Sequence, residues 1–204
     1  MIAQLKDNYY LSPEDYLEWE EKQPEKYSYV KGNVYAMAGG TVAHSEAASN
    51  LIAVLKNHLR GTGCRTLGSD AKIRLDDVDV FHYADVSVTC DERDRTAIKF
   101  LSHPCLIVEV LSPSTEAYDR GKKFEEYRSL DSLREYVLIS PTRMYVECYR
   151  LNDFGRWELY QYDALPGDSE LPEVHLSSVD CSFSIDELYE NIVIEPVQPI
   201  PVEE

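Results

Sequence analysis

Cys105-Leu106-Ile107-Val108-Glu109-Val110-Leu111 is an apolar run of the length of one strand, interrupted by a single acid. Its composition and its bounding residues, Pro104 and Pro113, predict a buried β-strand. An ionised carboxylate in such a strand costs several kcal/mol unless it has a partner. That partner is a cation, a metal or a hydrogen-bond network, and its identity decides what the chain does. The plainer alternative is one salt bridge to a Lys or Arg elsewhere.

Upstream, Phe81 to Thr89 reads as a second strand, in which Tyr83, Asp85 and Ser87 share one face. Glu109 lies opposite the face made by Leu106, Val108 and Val110. Consecutive strands are often neighbours in a sheet, and pairing of these two sets Asp85 beside Glu109. Two carboxylates that close share a proton or hold a hard cation. Mg²⁺ or Mn²⁺ held by one or two protein carboxylates, with water and phosphate completing the shell, is a phosphodiesterase arrangement.

Downstream, Pro113-Ser114-Thr115 ends the strand, and a basic helix is expected from about Glu116 to Ser129 with Phe124, Tyr127 and Leu130 inward. Lys123 can reach the sheet from that helix and stabilise charge on a pentacoordinate phosphate. Alternatively, Lys122 and Lys123 only make helical pairs with Glu125 and Glu126.

Further elements follow from local signals. Ser12-Pro13-Glu14-Asp15 starts a helix running to about Glu21. Tyr27 to Val30 and Val34 to Met37 flank a hairpin turn. Ala47, Leu51, Val54, Leu55 and Leu59 form a helical stripe stopped by Gly61 and Gly63. Strands are expected at Arg65–Leu67, Ala71–Leu75, Tyr136–Ile139, Tyr145–Tyr149 and Trp157–Tyr160, and a short helix at Ile185–Tyr189. The pattern is that of one α/β or α+β domain over residues 10–190, with an acidic, Pro-containing tail over 191–204.

Net charge is −17, yet twelve of the 37 acids and none of the 20 bases lie between Trp157 and Glu204. The acidity is mostly C-terminal, so it weakens a phosphate-binding reading without removing it. No apolar run approaches a membrane span. The N-terminal Met1 to Lys6 lacks a secretory pattern, and the five cysteines, with no CxxC pair, read as reduced thiols. Both point to a cytoplasmic protein. The loop Asp91 to Lys99 carries Arg93, Arg95 and Lys99, which either read bases or are simply solvated.

The segments YVKGNVYAMAGGTVAH, YADVSV and CLIVEVLSPSTEAYDRGKKFEEYRSLDSLREYVLI resemble the Uma-two family of the PD-(D/E)XK nuclease superfamily, over about residues 10–190. The resemblance implies a restriction-endonuclease-like mixed β-sheet flanked by helices and metal-dependent cleavage of DNA. On it, Asp85 is the motif aspartate and Glu109 the motif acid. The lysine expected two residues after the acid is replaced by Leu111, and Lys123 is the matching candidate, with Lys122 as substitute. His44, Asp70, Asp119 and Tyr127 also fall on the family pattern. His44 is either a helix cap or a group that meets the site, and Asp70 is a candidate to orient Lys123 or the metal. Three departures stand out: Ala84 replaces a Pro, Ser140 replaces an Asp, and Ser28 stands where Glu is common. The last of these leaves open a catalytically weak module that binds nucleic acid or a protein partner. Cutting both strands of a duplex would favour a homodimer.

Overall fold

The computed structural model describes residues 10–37, 39–165 and 167–194. The N-terminal hexapeptide and the prolines from 196 onward lie outside these residues. Ser12 caps α1 (Pro13–Glu20), its hydroxyl accepting the Asp15 N–H at 3.1 Å. β1 (Tyr27–Val30) and β2 (Asn33–Ala36) turn on Lys31 and Gly32. Both have positive φ, 47° and 87°, the left-handed pair that suits a two-residue hairpin loop. α2 (Val42–His58) buries Ala47, Leu51 and Leu55 along the expected stripe.

Next come β3 (Arg65–Gly68), β4 (Lys72–Leu75), β5 (Val80–Tyr83), β6 (Val86–Thr89), β7 (Phe100–Leu101) and β8 (Leu106–Val110). α3 (Glu116–Tyr118) passes through a π-helical turn, Asp119–Lys123, into α4 (Phe124–Tyr127). β9 (Glu135–Ser140), β10 (Met144–Leu151) and β11 (Trp157–Ala164) follow, then β12 (Glu173–Leu176), β13 (Cys181–Ser184) and α5 (Ile185–Leu188).

The strands form two main sheets, ordered β2-β1-β5-β4-β7 and β11-β10-β9-β8-β6-β3, and β12 and β13 pair separately. Both main sheets are mixed, since β4 runs parallel to β7 and β8 to β9 while their other neighbours are antiparallel. The architecture is therefore α+β, with mixed sheets flanked by helices.

The single strand expected over Phe81–Thr89 is in fact two. β5 belongs to one sheet and β6 to the other, and the chain steps between them at Ala84 and Asp85. Every residue of both strands is buried, so the apolar pattern runs through the step without a signal.

α2 and α5 cover one face of the six-stranded sheet, packing on Val86, Val88, Leu106, Val108 and Val110. Between the two sheets lie Ile73, Leu75 and Val80 against Ile107, Tyr136, Leu138, Phe124 and Tyr127. Glu109 therefore emerges on the side between the sheets, not on the side of α2. Several tyrosines are core residues: Tyr16 stacks 5.1 Å from Tyr29 and 5.3 Å from Phe81. β11 is an edge strand that exposes Leu159 and Tyr160.

The expectation of five reduced thiols is corrected. Cys64 and Cys90 form a disulfide, and Cys105, Cys148 and Cys181 are free. Antiparallel register pairs Arg65 with Thr89, so the next residues outward, Cys64 and Cys90, meet face to face. Spacing alone could not reveal a pair 26 residues apart. The finding also removes the cysteine argument for a reducing compartment. Reduction, or Cys90→Ser, should cost about 3 kcal/mol through loop-closure entropy. Thermal unfolding with and without reductant should then differ by about 6–12 °C.

Candidate functional site

β6 and β8 pair antiparallel with Val86 opposite Val108. Extending that register by one residue sets Asp85 across from Glu109. The ladder between these strands ends there, and the Asp85 side chain supplies the missing acceptor: Oδ2 receives the Val110 N–H at 2.8 Å. Oδ1 lies 3.0 Å from Nε2 of His44, on the first turn of α2. Glu109, 3% exposed, is held through Oε1 by Lys123 Nζ at 2.8 Å and the Tyr127 hydroxyl at 3.1 Å. Lys123 Nζ also lies 3.5 Å from Asp119 Oδ1 and donates to the Tyr83 carbonyl at 3.2 Å. Asp119 and Lys123 are the two buried residues of the π-helical turn, a distortion that recurs at functional sites. His44, Asp85, Glu109, Asp119 and Lys123 all line a cavity of about 380 Å³.

The charge balance of this cavity is uneven. Three carboxyl groups (Asp85, Glu109 and Asp119) face one ammonium, Lys123, and two imidazoles, His44 and His82. Burial pushes the Glu109 carboxyl up to about 8; Lys123 opposes that shift, while Asp85 and Asp119 add to it. Burial alone would lower Lys123, but the carboxylates of Glu109 and Asp119 outweigh it and hold the amine above its usual value. The hydrogen bond to Asp85 raises His44. Lys123 is thus firmly charged, and once Glu109 ionises the site is short of positive charge.

A divalent cation fits that shortage. Asp85 and Glu109 offer hard oxygen donors from neighbouring strands. Among the described residues no three His, Cys, Asp or Glu side chains are grouped to hold a metal. Asp85 and Glu109 are the side chains that could hold such a cation, with water and substrate oxygens completing its shell.

The structure brings together Asp85, Glu109, Lys123, His44, Asp119 and Tyr127. It leaves out Asp70 and Lys122. Asp70 is exposed in the turn between β3 and β4, where it pairs with Lys26, so it orients neither Lys123 nor a metal. Lys122, one residue along the helix from Lys123, is half exposed and meets Glu125 at 3.2 Å and Glu126 at 3.9 Å. Lys122 makes helical pairs at the surface, whereas Lys123 turns inward to Glu109 and Asp119.

Sequence reasoning missed His82 and Glu126. His82 is 1% exposed, lines the cavity and lies 2.7 Å from Glu126 through Nε2, while its Nδ1 has no partner among the described residues. Burial lowers its pKa, which favours the neutral imidazole. A polar residue in an apolar strand was the same signal that singled out Glu109. Ser28 also lines the cavity, and the β1–β5 register (Tyr29 with Phe81) sets it next to His82.

A family model described as "Putative restriction endonuclease", Uma2, matches residues 13–183. The chain is 44% identical over 182 residues to the uncharacterised Synechocystis protein slr1290, across 89% of this chain and 93% of the other. It is 30% identical over 151 residues to the uncharacterised Synechocystis protein sll1609, across 73% and 85% of the two chains. The crystal structure of a "putative nuclease belonging to DUF820" from Anabaena variabilis shares the fold, with a TM-score of 0.67 at 21% identity. That match covers 87% of this chain and 98% of the other. A nuclease-like fold, a match over most of its length and a close relative together assign this chain to the Uma2 family of "putative restriction endonucleases".

Proposed function

We propose that this protein is a divalent-metal-dependent endonuclease that hydrolyses phosphodiester bonds in DNA. The observation that carries the reading is the pair Asp85 and Glu109 on adjacent strands, with the buried Lys123 ammonium 2.8 Å from Glu109. Asp85 and Glu109 would hold Mg²⁺ or Mn²⁺, which supplies Lewis-acid polarisation of phosphate and a more acidic water.

The chain's own residues do the rest. The Val110 N–H and His44 fix the Asp85 carboxylate, and Tyr127 fixes that of Glu109. Lys123 places a positive charge where negative charge grows on the phosphate, in a recess where burial strengthens the interaction. The second reading, a catalytically weak nuclease-fold module, is favoured by Ser28, because the family's common Glu would stand on the cavity wall.

Plasmid nicking with Mg²⁺ or Mn²⁺ separates the two. Nicking should disappear in Asp85→Ala and in Glu109→Ala; nicking that survives both sinks the endonuclease reading. Metal binding with cleavage of neither plasmid nor single-stranded DNA supports the second. Ser28→Glu should raise the nicking rate about tenfold, equivalent to roughly 1.4 kcal/mol. No change on that substitution would make Ser28 a bystander.

A further inference from the structure

We infer that the strand entering this cavity is an unpaired nucleotide strand and not intact duplex, an inference that rests on the nuclease reading above. Depth is the first argument. Glu109 and Lys123 are 3% and 9% exposed, at the floor of a recess. Its walls include Gly39 to Thr41, ahead of α2, and Ser112 to Thr115, after β8. Duplex DNA is stiff over about 50 nm and presents its phosphates on the outside of a rod. Such a rod rests on the walls, whereas a flexible single strand can bend its backbone down to the acids.

Charge is the second argument. Duplex binding depends on many Lys and Arg side chains neutralising phosphates. Among the described lining residues, Lys123 is the only Lys or Arg, and it already faces Glu109 and Asp119. The bases of the 91–99 loop lie outside the recess lining and meet acids at the surface: Arg93 with Asp91, Arg95 with Glu92 and Lys99 with Glu21. Arg120, near the site, pairs with Glu116 and Glu147. Arg143, beside the lining Thr142, stacks 3.7 Å from the centre of the Tyr145 ring and can meet one flanking phosphate.

What the recess offers in place of cations is aromatic surface and hydroxyls. Tyr35 and Tyr118 line it, together with Ser28 and Thr142. Aromatic rings stack on bases whose faces are open, and the bases of an intact duplex are not. The volume, about 380 Å³, falls in the range that takes one small ligand, here a single nucleotide drawn into the site.

The test compares a short single-stranded oligonucleotide with the same sequence as duplex. Cleavage is measured with the wild-type protein in Mn²⁺, and binding with Glu109→Gln. The single strand should be bound and cut at least about tenfold better, with a shallow salt dependence from one or two phosphate contacts. Tyr35→Ala should weaken single-strand binding by about tenfold or more, and Tyr35→Phe should keep it. Equal or better cutting of the duplex overturns the inference and leaves the nuclease reading standing. Tight single-strand binding without cleavage keeps the inference and removes the nuclease reading. Failure to bind either form overturns both.

Discussion

Glu109→Gln is expected to lower cleavage about a thousandfold or more while making the metal-free protein more stable. On the proposed function, the loss follows from removing one of two carboxylates that would hold the metal at the phosphate, an effect of several kcal/mol. The gain follows from the buried acid's own cost. Its pKa is about 8 in the fold against 4.5 outside it, so the folded chain keeps a proton that the unfolded chain releases. The stability this contributes is fully present below about 4.5 and is lost as pH climbs through about 8, a total of several kcal/mol.

Glutamine does not ionise. The midpoint difference between Glu109→Gln and wild type should therefore be small at acid pH and grow steadily toward pH 9. Added Mg²⁺ should raise the wild-type midpoint in proportion to occupancy and leave the variant unmoved. A difference that stays flat across pH, or an equal response to Mg²⁺, would refute the assignment of Glu109 as a strained, metal-ready acid.

Lys123→Met should go the opposite way. Removing the ammonium leaves Glu109 and Asp119 buried without a cation, a loss of about 3–5 kcal/mol once both are ionised. The deficit should shrink at acid pH, where protonation of Glu109 relieves it. Cleavage should fall by about a hundredfold or more, since the charge facing the phosphate is gone. The double variant Glu109→Gln/Lys123→Met should regain the part of the stability lost at Glu109 and none of the activity, because Asp119 still lacks its cation and the chemical defect remains. Urea unfolding of all four proteins measures the coupling; additive effects would show that Lys123 and Glu109 act independently.

The parts of this site that could be read from sequence are those that break a local rule. Glu109 contradicts its apolar strand, and Asp85 likewise stands out as the one acid in the middle of the preceding strand pattern. Lys123 was harder to place, because on a helix surface it looks like Lys122, and only the inward turn of the following Phe124 distinguished it. The rest depends on which sheet a strand joins. Phe81–Thr89 shows an unbroken apolar pattern, so nothing marks the step at Ala84 and Asp85 where the chain changes sheets. His82, Glu126 and the Tyr83 carbonyl enter the site only because of that step. The Cys64–Cys90 bond depends on register, and the β12–β13 pair carries weak local signals. Asp70 fits the family pattern in sequence, yet a tight turn aims it at solvent.

The open rim along β11 affects how molecules of this protein meet one another. The strand exposes Leu159 and Tyr160, has no base, and carries Glu158 and Asp163. If two copies met antiparallel about a point between Tyr160 and Gln161, each Glu158 would face the other's Asp163, and like charges directly opposite repel. Near neutrality this repulsion keeps the sticky stretch from zipping onto its twin, which disfavours this rim as the seam of a dimer. High salt screens the guard away, so turbidity should rise with ionic strength while the core stays folded.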